Sequence, residues 1–516
     1  METWSVTTPL TLEDAARRAG LAAALVALAG GALTLNHLLP GVFYDDGLYT
    51  GIAYALSHGL GYAHPHLPGH PAAVHFPPLY PLVLTPFVGL LPLSAAVFAA
   101  KVLNIVLGAV AAGLIAWHAT RTELLGPGAP GWLPPAIVAA AAVALPTLTS
   151  LCVLFSEPLF SALLAVAVIL ADRPPSLWSA GRGALLAGVA AALALLTRSI
   201  GVAAGVGIVL FLLVVRRAPW QRAAIAGAPV FVAALGWGLW VLRHRGGIDP
   251  GMATNYGSYF EVLKGAGLGV FWPSLRELPR PLGDLTLSWL PAAALYYAFA
   301  VAALAVLLYG LTLMVRRSSI GLTLFCYLAI LGVWPFPVDR FVWVMLPWLG
   351  LAWCAAVLRL WQASTLRWVR APVALVAGAV TFGYAQLEVR GLATRAWRAA
   401  PAYVSASAGE MLPWLAALPA DAVIAADFEP LIWLNTGRLS VPFYIYGYRG
   451  RVVTAPTPAE QRAYLERQGA SYVMISGYVS QSVPELNALF QSYPGWLTMV
   501  KQWSGGRTVF RVNRGF

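Results

Sequence analysis

GVFYDDGLYTGIAYALSHGLGYAHPHLPGHPAAVHFPPLYP, residues 41–81, is the one long polar interruption in the first half of a chain otherwise built from apolar segments. It holds the adjacent carboxylates Asp45 and Asp46, five of the chain's eight histidines (His58, His64, His66, His70 and His75), and neither Lys nor Arg. Ionisable groups at the edge of a bilayer are costly unless they have a partner or a task, so those that persist there are informative. The stretch reads as the first extracytoplasmic loop of a membrane enzyme, spanning 40–93, and as its catalytic loop.

Composition requires the membrane. Of 516 residues, 59% are hydrophobic and 10% charged, with a mean hydropathy of +0.72, whereas a soluble domain carries about a quarter of its residues charged. The net charge of +12 does not indicate nucleic acid, because the chain has three lysines (Lys101, Lys264, Lys501) and most arginines sit in small clusters beside apolar runs. That distribution sets topology. Cys152, Cys326 and Cys354 lie in apolar runs without pairable spacing, which argues against a disulfide framework or a thiolate metal site.

A crossing helix needs about 20 mostly apolar residues. On that measure about eleven spans are expected, near 19–39, 94–117, 133–149, 151–171, 183–197, 199–215, 223–242, 290–314, 319–335, 341–358 and 371–388. The first run lacks a cleavage-site pattern and is expected to stay as an anchor. Residues 79–93 carry Pro81, Pro86 and Pro92 and are expected in the interface. With the N-terminus inside, every inside segment contains arginine, from Arg17 and Arg18 to Arg367 and Arg370. The loop 243–289 breaks this rule with Arg243, Arg245, Lys264, Arg276 and Arg280. Two domains follow: residues 1–389 in the membrane and 390–516 as a soluble extracytoplasmic α/β domain. In the latter, 421–427 and 471–476 read as strands, 429–437, 457–470 and 483–492 as helices, and 497–512 as a hairpin turning at Gly505-Gly506.

On this topology Asp45, Asp46, Glu157, Arg198 and the Asp339-Arg340 pair share one side. A carboxylate beside the membrane can serve as general base toward an acceptor hydroxyl, and arginines can hold the phosphate of a lipid-linked donor. Other readings stand beside these: Asp46 as a helix cap, Glu157 as a structural partner of Arg198, Asp339-Arg340 as a solvated turn. The spacing of His64, His66, His70 and His75 admits a metal site, but the prolines and glycines between them favour a polar loop.

Five motifs, YDDGLY (44–49), HFPPLYP (75–81), SEPLF (156–160), LTRSIG (196–201) and DRFVWVMLP (339–347), together resemble the GT-C superfamily of polytopic membrane glycosyltransferases. The nearest branch is similar to protein O-mannosyltransferases and aminoarabinose transferases, which include bacterial lipid-linked-sugar-dependent enzymes of the inner membrane. The resemblance covers about 390 residues. It implies an inverting transfer from a polyprenyl-phosphate sugar to an extracytoplasmic lipid, glycan or protein, without a metal cofactor. By the same resemblance Asp45 is the base, Asp46 and Glu157 are further acidic site residues, and His75, Arg198 and Arg340 contact the donor phosphate. The loop departs from the family in lacking Lys. A divalent metal is the alternative cofactor, and a polyprenyl-lipid flippase or secondary transporter the alternative function. The latter places charges near the bilayer midplane in paired repeats, and no repeat is visible here.

Overall fold

The computed structural model describes residues 11–173, 180–363, 365–449, 452–476 and 482–515; the outermost residues of both expected domains, 1–10 and 516, lie outside these. Its first half runs α1 (Leu12–Ala32), α2 (Asp45–Ser57), α3 (Leu79–Leu90), α4 (Leu93–Arg121), α5 (Leu133–Ala142), α6 (Leu145–Cys152), α7 (Glu157–Asp172), α8 (Ala180–Thr197), α9 (Val202–Leu210) and α10 (Trp220–His244). Further apolar helices follow at Ala293–Val315, Ile320–Leu331, Leu346–Ala363 and Arg367–Thr394. Small residues bring α1 and α4 together: a Cβ on Gly20 would lie 2.9 Å from the Gly113 carbonyl oxygen. Without a hydrophobic drive between helices in lipid, such close backbone contact is what holds them.

Among the described residues, five helices are long and apolar enough to cross a membrane, or six if α5 and α6 form one bent span. All six coincide with expected crossings; shorter apolar helices occupy several of the remaining places. The expected span 133–149 bends by 48° between α5 and α6. Pro146 explains the position, because its ring would collide with the carbonyl of Ala142, where α5 ends. The next span therefore starts at Glu157, not at 151. Residues 79–90 are helical despite their prolines. Pro81 sits in the first turn, where an amide hydrogen is surplus, and the helix is only 12 residues long.

The C-terminal part contains a five-stranded sheet in the order β2-β1-β5-β7-β6, from β1 (Val423–Ala426), β2 (Leu439–Pro442), β5 (Tyr472–Ile475), β6 (Leu497–Gln502) and β7 (Thr508–Val512). β1 is parallel to β2 and β5, while β7 is antiparallel to β5 and β6. A separate ribbon pairs β3 (Gly447–Arg449) with β4 (Val452–Thr454). Thr457 and Glu460 make a reciprocal capping box, and Gly437 ends the helix Glu429–Thr436 at φ +70°. Sequence reading missed the helix Ala396–Ala416, which follows directly on Arg367–Thr394 through a left-handed Arg395. This part shares its core with the first loop: Leu48, Ile52 and Tyr80 are buried in one cluster with Val441, Tyr464 and Val473. The loop therefore rests on the C-terminal layer and owes its shape to it.

Candidate active site

The loop enters α2 through a tight turn. Gly41 has φ +91°, and a Cβ there would stand 2.7 Å from Leu431 Cα; one on Gly47 would stand 2.8 Å from Pro430 Cβ. Both glycines let the turn seat directly on the helix Glu429–Thr436. Tyr44, the residue before Asp45, is held at φ +68°, a conformation uncommon for a side chain of that size. Asp46 braces the turn, since its carboxylate accepts from the amides of Gly41 at 3.0 Å and Phe43 at 2.9 Å. It thus caps the preceding turn and not the first amides of α2, where no side-chain cap occurs. Burial raises the Asp46 carboxyl to about 6 against the pull of those amides. Asp46 does not line the cavity described next.

Asp45, at the first position of α2, does. Arg340 Nη1 donates to Asp45 Oδ2 at 2.6 Å, and Arg340 Nη2 to Glu157 Oε1 at 2.8 Å. Arg198 Nη1 reaches the same Glu157 oxygen at 2.8 Å. One carboxylate oxygen therefore holds two guanidinium groups in place. The Glu157 side chain is 7% exposed and that of Asp45 22%, so Asp45 is the more accessible of the two carboxylates. The arginines are also fixed by aromatic faces, Arg198 over Phe341 at 4.8 Å and Arg340 over Phe155 at 3.8 Å. Their buried Nε groups have no partner among the described residues. Two guanidinium groups side by side on the cavity wall can meet an oxyanion.

Asp45, His75, Arg198 and Arg340 line a cavity of 390 Å³, together with Tyr259 and Phe336. His75 Nδ1 donates to the Gly257 carbonyl at 2.8 Å, which leaves Nε2 of the neutral ring as an acceptor. Burial lowers this imidazole, opposed by that hydrogen bond and by Asp45. A second, apolar cavity of 110 Å³ lies between α4, α5, α6 and α7. Glu157 and Arg340 are in its wall, so the charged group stands where a polar chamber meets an apolar one.

The other loop histidines go elsewhere. His66 Nε2 bonds Tyr256 Oη at 2.9 Å, and Tyr256 Oη donates to Glu429 Oε1. His64 packs edge-on against Tyr256. Burial raises the Glu429 carboxyl to about 8 against its hydrogen bond from Tyr256, and the Tyr44 ring stands over Tyr256 at 6.4 Å. This buried group ties the C-terminal part to the strained residue before Asp45. Among the described residues, no three His, Cys, Asp or Glu side chains converge as a metal cluster. Sequence reasoning missed Tyr256, Tyr259, Phe336 and Glu429, because aromatic residues in a loop and one acid after a strand carry no spacing signal.

No protein-family model matches the sequence, and no curated protein matches it. Solved structures do. ArnT from Cupriavidus metallidurans bound to undecaprenyl phosphate superposes with a TM-score of 0.53 at 15% identity, over 95% of this chain and 97% of ArnT. The apo state of the same protein gives 0.51 at 15% identity, over 94% and 96%. The Archaeoglobus fulgidus oligosaccharyltransferase in complex with Zn and sulfate gives 0.52 at 13% identity, over 96% of this chain and 73% of that one. These superpositions run over nearly the whole chain, and the fold they show is the GT-C fold of polytopic membrane glycosyltransferases.

Proposed function

We propose that this protein transfers a sugar from a polyprenyl-phosphate-linked donor to a hydroxyl-bearing acceptor, with Asp45 as general base and Arg198 and Arg340 as the phosphate receptor. The observation that carries this reading is the position of Arg340: it binds both Asp45, the more accessible carboxylate, and Glu157 while bordering both the charged and the apolar cavity. A phosphate with a long hydrocarbon tail matches that junction.

The chemistry follows from the charges. An arriving phosphate competes with Asp45 for Arg340, and Arg340 turning to the phosphate frees the carboxylate. Asp45 then takes the proton of the acceptor hydroxyl as its oxygen bonds to the anomeric carbon. The bond from that carbon to the phosphate oxygen breaks, and the electron pair leaves with the polyprenyl phosphate, where the guanidinium groups meet the growing charge. Attack opposite the leaving group inverts the anomeric centre. Glu157 holds both arginines at the spacing the phosphate needs and is a positioning residue. His75, neutral with Nε2 as acceptor, binds a donor or acceptor hydroxyl and contacts phosphate when protonated. We assign no metal to the reaction, and transfer is expected to persist in chelator. The distribution of arginine along the sequence supports an extracytoplasmic side of a bacterial inner membrane for the site and the C-terminal part.

The test is transfer by the purified full chain with a panel of radiolabelled polyprenyl-phosphate sugars, comparing wild type with Asp45→Asn in one detergent. Turnover by wild type alone supports the reading. Equal binding of polyprenyl phosphate by both proteins with turnover by neither replaces it with the flippase.

A further inference from the structure

A second recess, of 670 Å³, opens between the segment 250–262 and the C-terminal part. Ile445, Tyr446, Gly447 and Tyr448 are in its wall, at the end of the run Tyr444-Ile445-Tyr446-Gly447-Tyr448. Ile445 is 4% exposed and belongs to the core, while the three tyrosines remain half-buried. Tyr444 and Tyr446 stack at 4.9 Å, and Tyr446 and Tyr448 stand at 79° with centroids 5.8 Å apart. The recess adjoins the catalytic cavity through one aromatic wall: Tyr448 meets Phe336 edge-on at 5.4 Å, and Phe336 meets Tyr259 at 5.9 Å. Phe336 and Tyr259 line the cavity that holds Asp45. Burial first, then the neighbouring tyrosines and the Asp45 and Glu429 carboxylates, raise the Tyr446 hydroxyl above the ordinary tyrosine range.

The charge on the walls decides what fits. Glu261 and Glu460 contribute carboxylates. The one basic side chain among the described lining residues is Arg467, and it is engaged through Nε and Nη2 by both oxygens of Asp249, at 3.1 and 3.2 Å. No uncommitted cation in this wall therefore meets an anion, although the sequence of the surrounding loop is basic. Flat aromatic faces bury the C–H face of a pyranose, and carboxylates accept from its hydroxyls.

We infer that the tyrosine-walled recess binds the acceptor, and that the acceptor is an uncharged saccharide chain presented hydroxyl-first to Asp45. The word acceptor rests on the transferase reading above; the binding site does not. Saturation-transfer NMR on the detergent-solubilised full chain tests it, with α-mannotriose, maltotriose and laminaritriose as uncharged probes and trigalacturonic acid as the anionic one. The expected result is a signal from at least one uncharged trisaccharide and none from trigalacturonate. Binding should weaken roughly tenfold in Tyr448→Ala and in Glu261→Gln, and persist in Tyr448→Phe, which keeps the ring. Binding of no uncharged probe, equal binding of trigalacturonate, or unchanged affinity in both Tyr448→Ala and Glu261→Gln overturns it. Undecaprenyl phosphate binding, measured in parallel, separates the two proposals. Saccharide bound without polyprenyl phosphate removes the transferase reading and leaves the recess; the reverse removes the recess alone.

Discussion

Arg340 and Asp45, 295 residues apart in the chain, are joined by a hydrogen bond of 2.6 Å. The pair holds the candidate base in an ionic contact that, on the proposed mechanism, the donor phosphate replaces. Removing the Asp45 charge should therefore act on chemistry and not on donor capture. Asp45→Asn is expected to lower transfer by roughly a hundredfold to ten-thousandfold while undecaprenyl phosphate still binds. Loss of both together would show that Asp45 builds the donor site and is not the base.

Glu157 carries two guanidinium groups on one buried oxygen. Glu157→Gln leaves two cations facing one another with half their compensation, and breaking a buried pair of this kind costs about 3 kcal/mol or more. A clear fall in the unfolding temperature is expected, partly reversed by added polyprenyl phosphate, which supplies the missing negative charge. A variant as stable as wild type would contradict the clamp.

Arg340→Lys keeps the charge and loses the fork. One ammonium does not reach Asp45, Glu157 and a phosphate in the present directions, so donor affinity should fall roughly tenfold, about 1.4 kcal/mol. Titration of undecaprenyl phosphate into both proteins measures this directly.

His75 is neutral because burial lowers it below the ordinary histidine value of 6.5. A phosphate beside it favours the imidazolium, so binding takes up a proton and donor affinity should rise as pH falls into the acid range. His75→Gln should flatten that dependence. An unchanged slope would place the proton uptake elsewhere.

Glu429 ties the C-terminal part to the turn before Asp45, with a carboxyl raised from 4.5 to about 8. Between those values the folded protein keeps a proton that the unfolded chain has lost. Stability therefore falls as pH rises through this window, by roughly 1.4 kcal/mol per pH unit at most for one group. Burial raises Glu485 to about 8 as well, so comparison with Glu429→Gln isolates the first contribution. The variant's unfolding temperature should decline less between pH 5 and pH 8 than that of wild type.

The sequence alone determined the membrane class, the long apolar helices and four of the five strands of the C-terminal sheet, but not β2 or the helix Ala396–Ala416. Apolar length, arginine flanks and caps such as Thr457 and Gly437 are local properties, readable within one or two turns. It also singled out Asp45, Asp46, Glu157, Arg198 and Arg340, since ionisable groups at a bilayer edge are few enough to stand out, and His75 through the family resemblance. Tertiary structure decided which surroundings each of them faces. Whether a carboxylate faces a cavity or its own turn depends on where chain segments hundreds of residues away come to rest, and so Asp45 and Asp46, neighbours in sequence, point to different surroundings. The seat of the loop on Leu431, the tie from Tyr256 to Glu429 and the tyrosine wall beside Phe336 are contacts between distant segments. Their residues follow no periodicity or spacing that a linear reading can detect.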